Sequence, residues 1–369
     1  MSCREQPNDA PSPVREGRGD RGAGVQLIVP TADSGFGPPV TLARHAMATR
    51  FEVVLYGNDP VRLRAAGEEA LNEIERLEAQ LSLYRASSEI AHLNARAARE
   101  PVRVSPSLFA LIEHARKLSF ETGGAFDITV APLVRCWGFM ENRGRLPEPA
   151  ALAEARASVG MELVELNAVS FTVRFRRDGV MLDLGAIGKG YAIERAAEVL
   201  RETGVTSGLI HGGTSTVHAI GHPPAAEAWL IALEGPPQKG SERAQPCSPE
   251  PSPRSETDRV VRAPIATVAL RDEALSVSAI WGRCFEADGK VLGHVLDPRT
   301  GCPVEGALMA AVVLPSAMET DALSTALLIL GKEGHERITN LRAGMRTMLV
   351  TNAEGGISVE GRGINRLTL

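Results

Sequence analysis

The stretch Met181-Leu-Asp-Leu-Gly-Ala-Ile-Gly-Lys-Gly-Tyr191 constrains this chain more than any other. An apolar run, Val180 to Leu184, carries one acid, Asp183. It passes into a turn with three glycines and a single lysine, Lys189, and a helical pattern follows from Tyr191 to Thr203. Strand, glycine turn and helix N-terminus in that order make an anion site. The glycines let the backbone come close, free N–H groups and the helix dipole favour a negative charge, and the lysine adds a full positive one. Two familiar phosphate loops are excluded by spacing. The nucleotide P-loop needs Lys-Ser/Thr after its second glycine, and the dinucleotide turn needs Gly-x-Gly-x-x-Gly.

Around this turn, strands are expected at 49–56, 163–166, 169–176, 180–184, 207–211, 215–220, 228–233, 265–270, 274–279, 308–314, 346–351 and 356–360. Helices are expected over Pro60–Gln80, Ser87–Ala95, Pro106–Thr122, Ala150–Val159, 191–203 and Glu319–Leu330, with a short one near Val130–Val134. In the first, Ala66, Ala70, Ile74 and Leu77 recur at helical spacing. Strands often follow one another with no helix between them. That favours an α+β fold with mainly antiparallel sheets and packed helices over a doubly wound parallel sheet.

Residues 1–39 read as a disordered N-terminal arm, 40–369 as one catalytic unit, and 236–258, rich in Pro, Ser and charge, as a flexible insertion. A net charge of −5 gives no broad basic field, so no nucleic-acid partner is expected. No run of eighteen apolar residues marks a membrane span. Five cysteines, an odd count without a C-x-x-C pair, argue against a disulfide framework or structural zinc. With no signal peptide or lipoprotein anchor seen, the expectation is a cytoplasmic protein with all five thiols free.

Three further islands can carry chemistry. In Gly123-Gly-Ala-Phe-Asp127 the glycines serve as a helix C-cap, and Asp127 is either the next N-cap or a ligand contact. In His294-Val-Leu-Asp-Pro-Arg-Thr-Gly301, His294 either closes a strand before a tight turn or acts as proton acceptor or phosphate ligand. In Glu319-Thr-Asp-Ala-Leu-Ser-Thr325, Asp321 and Thr325 share one helix face. They can hold a hard cation, or the acids can simply complement the positive end of the helix. Together the islands suit a magnesium-bound pyrophosphate.

The ordered set of these islands resembles the ApbE family, the FAD:protein FMN transferases. Met47-Ala-Thr-Arg-Phe51, Leu83-Tyr-Arg-Ala-Ser-Ser-Glu-Ile90, Thr122–Leu133, Trp137-Gly-Phe139, Leu182–Tyr191, His294–Gly301 and Thr320–Thr325 carry the resemblance across about residues 42–352. It implies an ApbE-like (T-fold-like) α+β catalytic unit that binds FAD in a cleft with Mg2+ at its pyrophosphate. It further implies FAD contacts from Met47, Tyr84, Ala125, Phe126, Asp127, Asp183, Lys189 and Val295. The metal would be held by Asp321, Thr325, Ser324 and the carbonyl of Ala186. The implied reaction transfers FMN to a Ser or Thr hydroxyl of an acceptor flavoprotein carrying an Asp-x-x-Ser/Thr-x-Ala-Ser/Thr-type motif, and releases AMP. His294 is the expected base and Lys189 the partner of the phosphoryl charge. The alternatives are an FAD pyrophosphatase and a non-catalytic flavin-binding protein, either as monomer or homodimer. Two departures stand out. Thr214 follows Gly212-Gly213 where relatives commonly have an acid or amide, and Ala48 stands where glycine is usual.

Overall fold

The computed structural model describes residues 25–28, 38–141, 143–224, 226–237, 263–287, 289–354 and 356–367. The chain opens with β1 (Val25–Ile28), β2 (Val40–Ala46), β3 (Thr49–Leu55), α1 (Pro60–Leu81), α2 (Glu89–Arg96), β4 (Val102–Arg103) and α3 (Pro106–Glu121). Then come α4 (Ala131–Cys136), α5 (Pro149–Ala157), β5 (Val164–Asn167), β6 (Thr172–Phe175), α6 (Gly188–Glu202), β7 (Gly208–Gly212), β8 (Thr216–Ile220) and β9 (Trp229–Glu234). The remainder is β10 (Pro264–Leu270), β11 (Ala274–Ala279), β12 (Cys284–Ala287), β13 (Lys290–Gly293), β14 (Ala307–Leu314), α7 (Ala317–Thr339), β15 (Arg346–Ala353) and β16 (Gly356–Arg362).

Eight strands form one sheet in the order β16-β15-β14-β11-β8-β7-β3-β2, with every neighbouring pair antiparallel. Alternating residues feed two cores, as the two-residue period of a strand requires. Phe51, Val53 and Leu55 enter the core shared with α1, α6 and α7, whereas Val54 enters the opposite one. That second core is closed by the three-stranded sheet β1-β9-β10. The result is helices, large sheet and small sheet in three layers, as the strand-next-to-strand sequence pattern anticipates.

Local chemistry explains the helix ends. Asp59 caps α1, its Oδ1 accepting the Val61 and Arg62 amides at 3.0 Å, with Pro60 in the first turn. Ser105 and Pro106 begin α3 in the same way. Its end is closed by the Gly124 amide donating to the Ser119 carbonyl at 2.8 Å, which Gly123 and Gly124 allow by taking φ of 64° and 77°.

Several expectations need correction. Residues 180–184 are extended but join no sheet. The Leu182 amide and carbonyl are taken by the Asn94 side chain at 2.8 and 2.9 Å, and the Asp183 amide donates to the Ile128 carbonyl at 2.7 Å. Helix α6 starts at Gly188, not 191, so the glycine turn is itself the first helical turn. Helix α7 runs beyond 330 to Thr339, across a break at Gly331 with φ 61° and ψ −149°. Within the arm expected over 1–39, residues 25–28 form a strand on β9. Most of the expected insertion at 236–258 lies outside the described residues. Cys136 and Cys302 are free, but Cys284 is disulfide-bonded, so five free thiols are not what the structure has. Strand β2 and the β12–β13 hairpin were not expected. Among the described residues, no helix is long and apolar enough to cross a membrane.

Candidate functional site

The site is built where α6 meets α7. A Cβ on Gly190 would run into the Ala317 carbonyl oxygen and the Asp321 side chain, so only glycine lets the two helices approach this closely. Gly190 is the third residue of α6, so its amide is one of the first four with no partner inside the helix. It donates instead to Asp321 Oδ2 at 3.0 Å. That one bond satisfies the helix-end amide and fixes the carboxylate.

Asp321 is 6% exposed. Burial pushes its pKa up, and the nearby Lys189 charge and the Gly190 amide oppose that shift. Lys189 Nζ donates to Ser215 Oγ at 2.6 Å, in the turn between β7 and β8. That turn is held in turn by the Val277 amide, which donates to the Ser215 carbonyl at 2.7 Å. In the same turn Thr214 Oγ1 is buried and has no partner among the described residues.

Strand β11 braces α7 from the sheet. Ser276 and Ser278 point to one face, the face opposite Leu275 and Val277. Ser276 Oγ lies 2.9 Å from Thr320 Oγ1, and Ser278 Oγ lies 2.9 Å from Ser324 Oγ and 3.0 Å from Thr325 Oγ1. A buried carboxylate one turn from the Ser324 and Thr325 hydroxyls offers oxygen donors only, the kind that suit a hard divalent cation. Among the described residues, no group of three or more His, Cys, Asp or Glu side chains could hold a metal, so any ion here would depend on hydroxyl and carbonyl oxygens.

His294 follows β13. Its Nδ1 lies 3.1 Å from the Arg283 carbonyl. A carbonyl can only accept, so Nδ1 carries the proton and Nε2 presents a lone pair. Burial first, then the Arg283 and Lys189 charges, lower its pKa to about 4, so the ring is neutral at neutral pH. Lys189 thus lies within electrostatic reach of both Asp321 and His294. Asp183 borders it: Oδ1 accepts the Gly185 amide at 2.8 Å, burial raises its pKa, and the Arg283 charge opposes the rise. Met47 is half-buried in the β2–β3 turn, which abuts the 212–215 turn through the Gly213 amide donating to the Arg50 carbonyl at 2.8 Å. Val295 packs half-buried beside His294.

Other expected contacts stand apart. Ala125 and Phe126 are buried in the main core, at 0% and 2% exposure, so their side chains are filled by packing and unavailable to a ligand. Asp127 is committed to protein. Oδ1 accepts the Thr129 amide at 2.8 Å and its hydroxyl, and Oδ2 accepts Ser119 Oγ at 3.0 Å and the Met161 amide at 3.2 Å. Its capping reading is thereby realised. Tyr84 is 65% exposed on the α1–α2 loop, and no described bond ties it to the Lys189–Asp321–His294 cluster.

Sequence reasoning missed Asn94, Ser278 and Arg283. The polar pair at alternating positions in an otherwise apolar strand, 276 and 278, was a readable signal. A lone Asn on a helix and an Arg on a loop carry none.

A model of the ApbE family matches residues 47–349. The FAD:protein FMN transferase of Treponema pallidum (strain Nichols) is 30% identical over 306 residues, covering 79% of this chain and 78% of that protein. The one from Haemophilus influenzae is 29% identical over 304 residues, covering 80% and 81%. Among solved structures, the ApbE protein of Thermotoga maritima superposes with a TM-score of 0.73 at 26% identity, covering 88% of this chain and 96% of that one. The apo form of the Pseudomonas stutzeri flavinyl transferase ApbE gives 0.73 at 26%, covering 88% and 95%.

Proposed function

The chain belongs to the ApbE family of flavin-transferring enzymes, and from that premise we propose that it moves FMN from FAD to a Ser or Thr hydroxyl of a target protein with release of AMP. What supports this reading is that Lys189 acts on both the Asp321 carboxylate and the His294 ring, and that the Gly190 amide binds Asp321 at 3.0 Å.

The acceptor hydroxyl oxygen attacks the phosphorus on the riboflavin side of the FAD diphosphate. A new O–P bond forms, the bond from that phosphorus to the bridging oxygen breaks, and AMP departs with the bridging oxygen. The hydroxyl proton goes to His294 Nε2, which is free to take it because Nδ1–H is engaged by the Arg283 carbonyl. Lys189 offsets charge on the phosphoryl oxygens. Asp321, Thr325, Ser324 and the Ala186 carbonyl would hold magnesium, which when bound neutralises phosphoryl charge. Thr214 Oγ1, buried without a partner among the described residues, suits a hydrogen bond to the nucleotide. Asp183 orients the flavin nucleotide. Asp127 caps the turn after residue 127 and ties it to Ser119 and Met161.

The test is to incubate the protein with FAD, Mg2+ and an acceptor bearing an Asp-x-x-Ser/Thr-x-Ala-Ser/Thr sequence, then record the acceptor's intact mass. An added FMN mass with one AMP released per acceptor is expected. FMN and AMP with an unmodified acceptor would mean hydrolysis, and bound but intact FAD would mean a flavin carrier.

A further inference from the structure

Strand β11 carries a hydroxyl, that of Ser278, which lies outside every motif yet touches two residues of one of them. Pairing of β11 with β8 runs only as far as Ser276 opposite Thr216, and the Val277 amide donates to the Ser215 carbonyl at 2.7 Å. Ser278 is thus the first residue past the turn whose Ser215 hydroxyl holds Lys189. On its other side β11 stays paired with β14, Ser278 opposite Ala310, so the backbone here is fixed. The Ser278 side chain is half-buried and reaches α7, with Oγ 2.9 Å from Ser324 Oγ and 3.0 Å from Thr325 Oγ1. Ser324 is fully buried, and Thr325 is half-buried. Both hydroxyls also face the Asp321 carbonyl, Ser324 at 3.0 Å and Thr325 at a longer 3.3 Å.

Each hydroxyl has one proton to give, and the carbonyl can only accept. An O–H···O bond is favoured below about 3.0 Å, so the 3.3 Å contact is the weak one. Without it, only one arrangement lets every hydroxyl donate once: Thr325 to Ser278, Ser278 to Ser324, and Ser324 to the Asp321 carbonyl. In that chain Thr325 gives its proton away and accepts none. Both its lone pairs are left for a cation, whereas Ser324 keeps one. A cation on the Thr325 oxygen makes its O–H a stronger donor, and each bond in such a chain polarises the next. We propose that Ser278 is a positioning residue for the metal: it takes the Thr325 proton and passes its own to Ser324, which holds the Thr325 oxygen with its lone pairs toward the ion. The proposal rests on the flavin-transfer reading, with magnesium on Asp321 and Thr325. Ser276, on the same face of β11, has a different set of partners among the described residues, Thr320 at 2.9 Å and Thr216 at 3.2 Å.

The experiment titrates Mn2+ into the full chain saturated with FAD and reads the free ion by electron paramagnetic resonance, for the unaltered protein, Ser278→Ala, Ser278→Thr and Ser276→Ala. Ser278→Ala should weaken Mn2+ binding by about 10-fold, the lower end for loss of a group that orients a metal ligand. The melting temperature of the metal-free protein should stay level, because Ser324 and Thr325 can still donate to the Asp321 carbonyl and no donor is stranded. Ser278→Thr keeps the hydroxyl and should restore most of the affinity. Ser276→Ala should lower the melting temperature more than the Mn2+ affinity. Unchanged Mn2+ affinity in Ser278→Ala would overturn the proposal. So would an equal loss in Ser276→Ala, which would mean that both serines merely seat α7 on the sheet. Failure of the unaltered protein to take up Mn2+ beside FAD would instead defeat the flavin-transfer reading on which the proposal rests.

Discussion

Two buried acids line this part of the molecule, and they are satisfied in opposite ways. Asp127, beside the 123–126 turn, accepts four hydrogen bonds from Ser119, Thr129 and Met161. Asp321, beside the 185–190 turn, accepts the Gly190 amide on one oxygen and faces the Lys189 charge. Burial raises the pKa of both. In the first, the protein itself supplies the donors, and the acid closes a helix end and ties α3 to the 160–161 turn. In the second, the protein supplies one amide and a nearby cation to a carboxylate that is costly to bury at neutral pH. An acid whose bonds are complete is architecture. An acid left short of partners, with a charge aimed at it, is poised for a ligand.

The contrast can be broken most severely at Asp321. Asp321→Asn keeps an oxygen for the Gly190 amide and removes the buried charge. FMN transfer should fall on the order of 10³-fold, since the metal contributes several kcal/mol, while the metal-free melting temperature stays level or rises. Normal transfer rates in this variant would dissolve the assignment. Next, His294→Ala should bind FAD and transfer about 10²-fold more slowly, checked by single-turnover mass spectrometry. Asp127→Asn should do the reverse of Asp321→Asn. Losing charge-assisted bonds at a cap costs about 2 kcal/mol of stability in urea unfolding, with FAD affinity of the folded protein unchanged.

The pH dependence follows from His294. Its pKa is lowered from 6.5 to about 4 in the folded chain, so transfer per enzyme, as kcat/KM, should hold level from neutral pH down to roughly 5 and decline only near 4. The sign for stability is opposite to that of a protonated, paired histidine. Between 6.5 and 4 the unfolded chain takes up a proton that the folded chain refuses, so this residue's contribution weakens as pH falls through that window. An acid limb near 6.5 would show that Nε2 is not the group titrating. The smallest effect belongs to the β2–β3 turn, where Met47 and Ala48 have φ of 50° and 59°. Ala48→Gly should raise stability by about 0.5 kcal/mol, because relief of left-handed strain slightly exceeds the added chain entropy.

The α+β architecture was legible because its signals are local. Caps such as Asp59-Pro60 and Ser105-Pro106 and the two-residue alternation in 274–279 each act within a few residues. The segment 180–184 misled for a definite reason. Its apolar residues fit a strand, but its backbone partners are the Asn94 side chain and the Ile128 carbonyl, groups far away in sequence. Strand β2 was missed because Leu42-Ala43 and Arg44-His45 break the two-residue alternation in a short run at the sheet edge. In the site, Lys189, Asp321 and His294 were found through their motifs. Ser278 and Arg283 were not, because each acts by closing a bond across elements, and no spacing within one segment encodes that. The Ala125–Phe126 pair shows the converse: residues inside a readable motif whose side chains serve the core.

The most direct measurement is a crystal structure of the protein soaked with FAD and Mn2+, with the metal located by its anomalous signal. The account predicts manganese within bonding distance of the Asp321 carboxylate, the diphosphate beside Lys189, and the phosphorus on the riboflavin side facing His294 Nε2. A diphosphate seated at the 123–127 turn, or a metal bound away from Asp321, would contradict it.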